Sequence, residues 1–508
     1  MISKIYSFGV LGLDAYPVEI EVDAGMGLPQ VNLVGLADTA VKESKERVRS
    51  AIKNSGFQWP SRRITVNLAP SDIKKEGASF DLPIALGILA ATGQINSELL
   101  NDFVFLGELS LDGKMRPVKG TLPIALKMAG FSIKNLIIPE SNAKESGIVP
   151  EISAWPQQSL AGVIQFLIEP RAKAPFKLNL EEMLKNKTDY SYDFADVKGQ
   201  YFAKRAIEVA VSGGHNILML GAPGTGKSML AKRIPTIMPK LLAKEALEIT
   251  KIHSVAGSLN HEGLITTRPF RSPHHSISDV ALIGGGSMPK PGEISMAHFG
   301  VLFLDELAEF KRKVLEALRQ PLEDNSICVS RLKKTINFPA CFILAAALNP
   351  CPCGNYFNPK KTCHCGQTKI RNYLGKISGP LLDRIDIHIE VPQVEYRELT
   401  ETKESESSLA IRTRVESARK IQEERFRQNG IFSNAQMENK LIKEHCFLNK
   451  DARELIRMAI SEFGLSARAY DKILKVSRTI ADLEGEEKIS AEHIAEAIQY
   501  RTLDKILN

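Results

Sequence analysis

The 508-residue chain has no apolar run approaching the ~20 residues that a bilayer-spanning helix needs. Its first residues lack the basic-then-apolar layout of a secretory signal, so a cytoplasmic location without a membrane partner is expected. Cysteine is scarce, seven in all, and four of these fall at 351, 353, 363 and 365. In a reducing compartment such clustering argues for metal and against disulfides. Neither charge dominates: Lys and Arg number 66, Asp and Glu 59, leaving +7. That balance permits nucleic-acid binding without establishing it. With 44% hydrophobic and 25% charged residues the chain reads as an ordinary soluble protein. At ~150 residues per domain it has room for about three domains.

What is present is organised around residues 217–228, Ile-Leu-Met-Leu-Gly-Ala-Pro-Gly-Thr-Gly-Lys-Ser. Four apolar residues predict a buried parallel strand running into the phosphate-loop pattern Gly221-x-x-x-x-Gly226-Lys227-Ser228. Gly221, Gly224, Thr225 and Gly226 would turn backbone N–H groups around a β-phosphate. Lys227 would place a point charge on the β/γ oxygens, and Ser228 a hydroxyl on Mg²⁺. The helix predicted next, over 229–234, directs its N-terminus at the anion. A second apolar strand, 301–304, ends in Asp305 and Glu306. Asp305 would hold the Mg²⁺ shell and Glu306 would polarise an attacking water, because phosphoryl transfer depends on positioning and charge neutralisation. A third, 341–348, ends at Asn349, placed for the γ-phosphate or its water, or else for a turn before Pro350. The cofactors implied are ATP and Mg²⁺.

Before this module, residues 1–170 read as a mixed α/β unit. Strands are expected at 18–22, 31–34, 64–67 and 103–106, and helices at 39–54 and 82–91. Residues 171–190 read as a linker. The ATPase core is assigned to 191–396, with two additions. A strand–basic turn–strand at 327–338 carries Arg331, Lys333 and Lys334, which could reach nucleic-acid phosphates or simply form a solvated tip. A Gly/Pro-rich insertion at 350–366 carries Cys351, Cys353, Cys363 and Cys365, four thiolates able to close a structural Zn²⁺ site. Residues 397–508, after an acidic connector, form a helical C-terminal domain in which Ile473, Leu474, Ile480 and Ala481 share a face. Two arginines stand out, Arg384 in 378–386 and Arg468 between two of these helices. Each could be an ordinary surface charge, Arg384 pairing with Asp383 or Asp386.

Two resemblances sharpen this reading. The stretches around 75–82 and 107–118 resemble the proteolytic domain of Lon proteases, with Ser79 where that family keeps its nucleophile. The place of the activating lysine is taken by Leu122, so a non-proteolytic relative is expected. The chain as a whole resembles the ComM-type branch of the magnesium-chelatase-like AAA+ ATPases. That resemblance implies a Lon-protease-like N-terminal domain, an AAA+ phosphate-loop α/β module and a C-terminal helical lid. It implies adenine contacts at Val197 and Gly199, a trans-acting arginine finger at Arg384 and a second sensor at Arg468. It further implies a hexameric ring, with the basic hairpins lining a pore and moving single-stranded, duplex or branched DNA during natural transformation. The alternatives are a magnesium-chelatase-type motor that remodels a protein, and an ATP-dependent protease or unfoldase.

Overall fold

The computed structural model describes residues 2–504 apart from 37, 76, 170–173, 186–189, 260–262, 287–288, 332–333, 357–360, 395–397, 399–404 and 464–465. The chain divides into two compact units. The first comprises Met1–Lys187, Leu242–Thr266 and Met288–Lys290; the second comprises Thr188–Leu241, Thr267–Ser287 and Pro291–Asn508.

In the first unit a seven-stranded mixed sheet runs in the order Gln30–Val34, Arg63–Ala69, Asp14–Gly25, Ile2–Leu11, Phe103–Phe105, Asn135–Pro139, Ser153–Gln157. The helix Thr39–Asn54 forms where its periodicity predicts, and Val41, Val48 and Ile52 are fully buried. Asp38 caps it by accepting the N–H of Val41 at 2.8 Å. The helix Asp81–Ala91 is buried along its whole length, which its nearly unbroken apolar sequence allows. Three strands of this sheet, Ile2–Leu11, Asn135–Pro139 and Ser153–Gln157, are additional to those the sequence pattern predicts. In the first of these the apolar alternation is masked by Ser3 and Ser7, which are buried. Their hydroxyls donate to Gly87 O at 2.9 Å and Phe105 O at 2.8 Å.

Leu242–Thr266 belongs to this unit although the phosphate loop precedes it in the chain. Its helix Ala243–Ala256 packs on the helix Thr121–Met128. Buried Glu145 accepts the Leu122 N–H at 2.8 Å and a short hydrogen bond from Ser254, joining the two helices. Burial raises the Glu145 carboxyl above its ordinary range against the pull of these donors.

The second unit holds a five-stranded, all-parallel sheet in the order Phe270–Arg271, Val301–Leu304, Ile343–Leu348, Ile217–Leu220, Ile387–Glu390. The three central strands are apolar throughout because helices cover both faces. The third strand starts at Ile343, not at residue 341; just before it the Cys341 carbonyl accepts the Phe299 N–H at 2.6 Å. The expected hairpin is present, Ser326–Arg331 pairing antiparallel with Lys334–Pro339. From residue 408 the described chain is helical, with Ser408–Arg425, Asn439–His445, Lys450–Phe463, Ala467–Glu484 and Ala491–Gln499. Ile473, Leu474, Ile480 and Ala481 all enter the core cluster that also contains Ile217 and Met219. Among the described residues no helix is long and apolar enough to cross a membrane.

Candidate nucleotide site

Three neighbouring strands of the parallel sheet deliver the predicted residues to one edge. In register, Leu220 lies beside Leu348, and Leu304 beside Ala346, so Gly221, Asn349 and Asp305 leave the carboxyl ends of adjacent strands. This edge is where open α/β sheets bind ligands. Gly224 and Gly226 adopt φ of +80° and +92°, a left-handed conformation that glycine enters without a Cβ clash. At Gly221 a Cβ would lie 2.5 Å from the Val391 carbonyl oxygen. The Thr225 hydroxyl donates to Ala222 O at 3.0 Å and tightens the turn. The helix Lys227–Ile237 begins directly after the loop, so its unpaired N–H groups face the same space.

The Lys227 ammonium donates to Gly221 O at 2.6 Å, Ala222 O at 2.9 Å and Asn349 Oδ1 at 3.3 Å. Burial lowers its pKa, while Asp305 and Glu306 favour the charged form. Ser228 Oγ donates to Asp305 Oδ2 at 2.6 Å, and Asp305 Oδ1 accepts the Glu306 N–H at 2.9 Å. Two hard oxygen donors in contact are the set that Mg²⁺ takes from a protein, so these residues fit the ion. Glu306 itself has φ +52° and ψ +51°, a left-handed conformation costly for a residue with a Cβ. Its carboxylate lies 3.6 Å from His275 Nδ1. On the other side, Val197 is fully buried and its carbonyl accepts Lys204 Nζ at 2.6 Å. Gly199 turns with φ +59° beside the Glu398 carboxylate, and Gln200 Nε2 donates to Pro392 O at 2.6 Å and Thr225 O at 3.4 Å.

Arg384 and Arg468 form a second group. Arg384 Nη2 pairs with Glu323 Oε2 at 2.5 Å and Nη1 donates to Pro380 O at 2.7 Å. Arg468 Nη1 lies 3.5 Å from Asp383 Oδ2. Arg384, and more weakly Arg468, hold the Glu323 carboxyl below its ordinary range. The partner of Arg384 is thus neither of its acidic neighbours in sequence. Glu323 lies sixty-one positions away, and no local pattern distinguishes it.

The four cysteines converge. All four sulfurs lie within 4.8 Å of one another, with 351–353 at 3.3 Å and both 351–363 and 353–363 at 3.7 Å. A tetrahedron of ~2.3 Å zinc–sulfur bonds has edges of about 3.8 Å, so the donor set fits Zn²⁺. The Asn355 N–H, with the neighbouring thiols, lowers Cys353 to about 6. This loop touches the phosphate loop: a Cβ on Gly354 would lie 2.3 Å from Pro223 Cδ. Sequence spacing gives no hint of that contact.

In the hairpin, Arg331 and Lys334 are opposed at the last pair of the ladder; Lys333 lies outside the described residues. In the first unit Ser79 is half-buried and its carbonyl accepts the Gly107 N–H at 3.0 Å. Leu122 is fully buried. Lys119, the lysine nearest in sequence, lies over Gly257, where a Cβ would meet its Cε at 2.4 Å.

The parallel sheet, the glycine loop and the two acids after the neighbouring strand define a phosphate-loop module of the AAA+ ATPase-like class. Residues 193–399 match the family described as "Magnesium chelatase, subunit ChlI", residues 20–142 "Subunit ChlI of Mg-chelatase", and residues 405–501 "Magnesium chelatase, subunit ChlI C-terminal". The chain is 45% identical to "Competence protein ComM" of Haemophilus influenzae over 99% of this chain and 98% of that protein. It is 41% identical to YifB of Escherichia coli over 100% and 98%. It is also 26% identical to Lon protease 2 of Bacillus subtilis over a quarter of each chain. The chain belongs to the magnesium-chelatase-like AAA+ family that includes ComM and YifB.

Proposed function

We propose that the protein is an ATP-driven DNA motor, a ring-forming translocase and branch-migration helicase that acts in recombination during natural transformation. The observation that carries the ATPase part is the convergence of Lys227, Ser228, Asp305 and Asn349 at one sheet edge. In this reading Lys227 draws the β/γ oxygens, and Glu306 takes the proton of an attacking water that Asn349 orients. Val197 and Gly199 contact the adenine. Ser228 and Asp305 would hold Mg²⁺, which supplies charge neutralisation at the phosphates when bound. Cys351, Cys353, Cys363 and Cys365 would hold a structural Zn²⁺ that staples the loop lying on Pro223.

Sheet geometry supports the trans reading of Arg384. Asn216 Nδ2 donates to the Arg384 carbonyl at 3.1 Å, at the amino end of the phosphate-loop strand. A strand rises ~3.3 Å per residue, so Gly221 begins roughly 16 Å away at the other end. From there Arg384 is better placed for a neighbouring subunit's phosphates than for its own, which requires an oligomer; a hexameric ring is the form proposed. DNA contact is assigned to Arg331, Lys333 and Lys334, and the name of the Haemophilus relative supports the competence setting. The first unit is read as non-proteolytic, because Leu122 offers no base to Ser79.

The test is ATP hydrolysis with no DNA, single-stranded DNA, duplex DNA and a synthetic branched junction, followed together with strand products from the junction. DNA-stimulated turnover and ATP-dependent junction movement, both abolished in Lys227→Ala, are expected. ATPase indifferent to every DNA overturns the motor reading. It would favour a magnesium-chelatase-type remodelling ATPase, the reading that the three chelatase family matches support. Salt-sensitive DNA affinity separates the two, because counterion release accompanies phosphate binding.

A further inference from the structure

Around Arg384 and Arg468 lies a buried polar framework that the nucleotide chemistry above does not use. Asp386, two residues after Arg384, forms an ion pair with Lys472 at 3.1 Å, and both side chains are largely buried, at 12% and 13% exposure. Lys472 sits one helical turn after Arg468 on Ala467–Glu484, so the two cations share a helix face. Asp383 and Asp386 receive them in the same order, Arg468 on Asp383 and Lys472 on Asp386. The outer pair is exposed and worth little; the inner pair is shielded from water and salt.

The inner pair is also tied to the sheet. Asp386 Oδ2 accepts the Asn216 N–H at 3.2 Å, and the Asn216 carbonyl accepts the N–H groups of Asp386 at 3.1 Å and Ile387 at 3.0 Å. Asn216 Nδ2 holds the Arg384 carbonyl, while its Oδ1 accepts the Leu344 N–H at 2.8 Å. His215 bridges to the same helix, with Nδ1 3.5 Å from Asp386 Oδ2 and Nε2 2.8 Å from Thr479 Oγ1. Asp386 and its immediate neighbours thus join the Arg468 helix to the Arg384 turn.

We propose that the buried Asp386–Lys472 pair is a positioning device that locks Arg384 and Arg468 into one rigid unit, presented together to a neighbouring subunit's nucleotide. Removing one partner alone would strand a buried charge and confuse positioning with unfolding. The paired change Asp386→Asn with Lys472→Met avoids this, because asparagine still accepts the Asn216 N–H and the methionine fills the lysine's volume.

This proposal rests on the trans reading of Arg384, and the experiment separates the two. Subunits carrying Arg384→Ala, with intact nucleotide loops, are mixed with donor subunits carrying Glu306→Gln, whose own sites do not turn over. ATPase regained on mixing reports arginines supplied in trans. A donor that also carries Asp386→Asn and Lys472→Met is expected to restore at least tenfold less activity than the Glu306→Gln donor, with an unchanged melting temperature and unchanged incorporation into mixed oligomers. A donor with Glu306→Gln and Lys472→Arg, which keeps the ion pair, is expected to restore most of it. Equal rescue by the Asp386→Asn, Lys472→Met donor overturns the positioning role and leaves the trans arginine standing. No rescue by the Glu306→Gln donor itself overturns the trans reading and this proposal with it.

Discussion

Ser228 Oγ donates to Asp305 Oδ2 at 2.6 Å, joining positions 77 apart in the chain at the mouth of the phosphate loop. The contact is possible because one strand separates those that carry the two residues, and all three run parallel. Asp305→Asn keeps the shape and can still accept the Glu306 N–H, but it removes the charge that would hold Mg²⁺. Since a metal ion contributes several kcal/mol to phosphoryl transfer, kcat should fall about a hundredfold or more, at ~1.4 kcal/mol per tenfold. Nucleotide binding without Mg²⁺ should hardly change. Fluorescent-nucleotide titration with and without Mg²⁺, beside steady-state ATPase, checks this; loss of both binding modes together would point to misfolding.

Gly354 lies against Pro223, so the cysteine loop and the phosphate loop form one packed surface. Its φ of +76° adds a second reason for glycine there. Gly354→Ala should therefore push the phosphate loop out of place and raise the KM for ATP. A shift of an ångström in a positioned group can cost up to a hundredfold, so a rise between about ten- and a hundredfold is expected. Cys351→Ser should act in the same direction, with loss of bound zinc measured by elemental analysis. Full metal content in the serine variant would remove Cys351 from the ligand set.

Two buried histidines give the second unit a pH dependence of defined sign. Burial lowers the pKa of both His215, beside Asp386, and His388, whose Nδ1 lies 2.7 Å from Asp504 Oδ1. In the unfolded chain both would titrate near the ordinary value of 6.5. Between that value and the lower folded values, the unfolded state binds more protons, so stability is present above 6.5 and is lost as pH falls. Each histidine contributes up to about 1.4 kcal/mol per pH unit in that window. Urea midpoints at pH 7.5, 6.5 and 5.5 should decline below 6.5, and His388→Asn should make that decline shallower. A flat profile from 7.5 to 5.5 would contradict both assignments.

The two units are not equally legible in the sequence. Strands 217–220 and 301–304 announce themselves because a parallel strand covered on both faces is an unbroken apolar run. The helix Thr39–Asn54 is legible from its 3.6-residue period. What stays hidden are pairings between distant residues: Glu323 with Arg384, Asp386 with Lys472, Gly354 with Pro223. Neither periodicity nor spacing encodes these, since each depends on how separate elements are brought together. Lys472 beside Ile473 and Leu474 is the one available signal, a cation adjoining an apolar stripe. The assignment of Leu242–Thr266 to the first unit is equally invisible, because Glu145 and Ser254 are ordinary residues until packing joins them.

The hairpin offers the most direct test of how hydrolysis would reach DNA. Its ladder runs from Ser326↔Pro339 to Arg331↔Lys334, and buried Ile327, Val329 and Phe338 anchor it. Replacing Arg331, Lys333 and Lys334 together by Glu turns three attractive charges into repulsive ones facing phosphates. DNA-stimulated ATPase should fall to the basal rate while turnover without DNA stays within about twofold, because these three residues have no part in the nucleotide site assigned above. The dependence of DNA affinity on salt should flatten as well, by roughly 0.7 to 0.9 in logarithmic slope for each phosphate that the variant no longer neutralises. Undiminished DNA stimulation in the triple variant would exclude this hairpin as the coupling element. The DNA-binding face would then have to be sought on another surface of the protein.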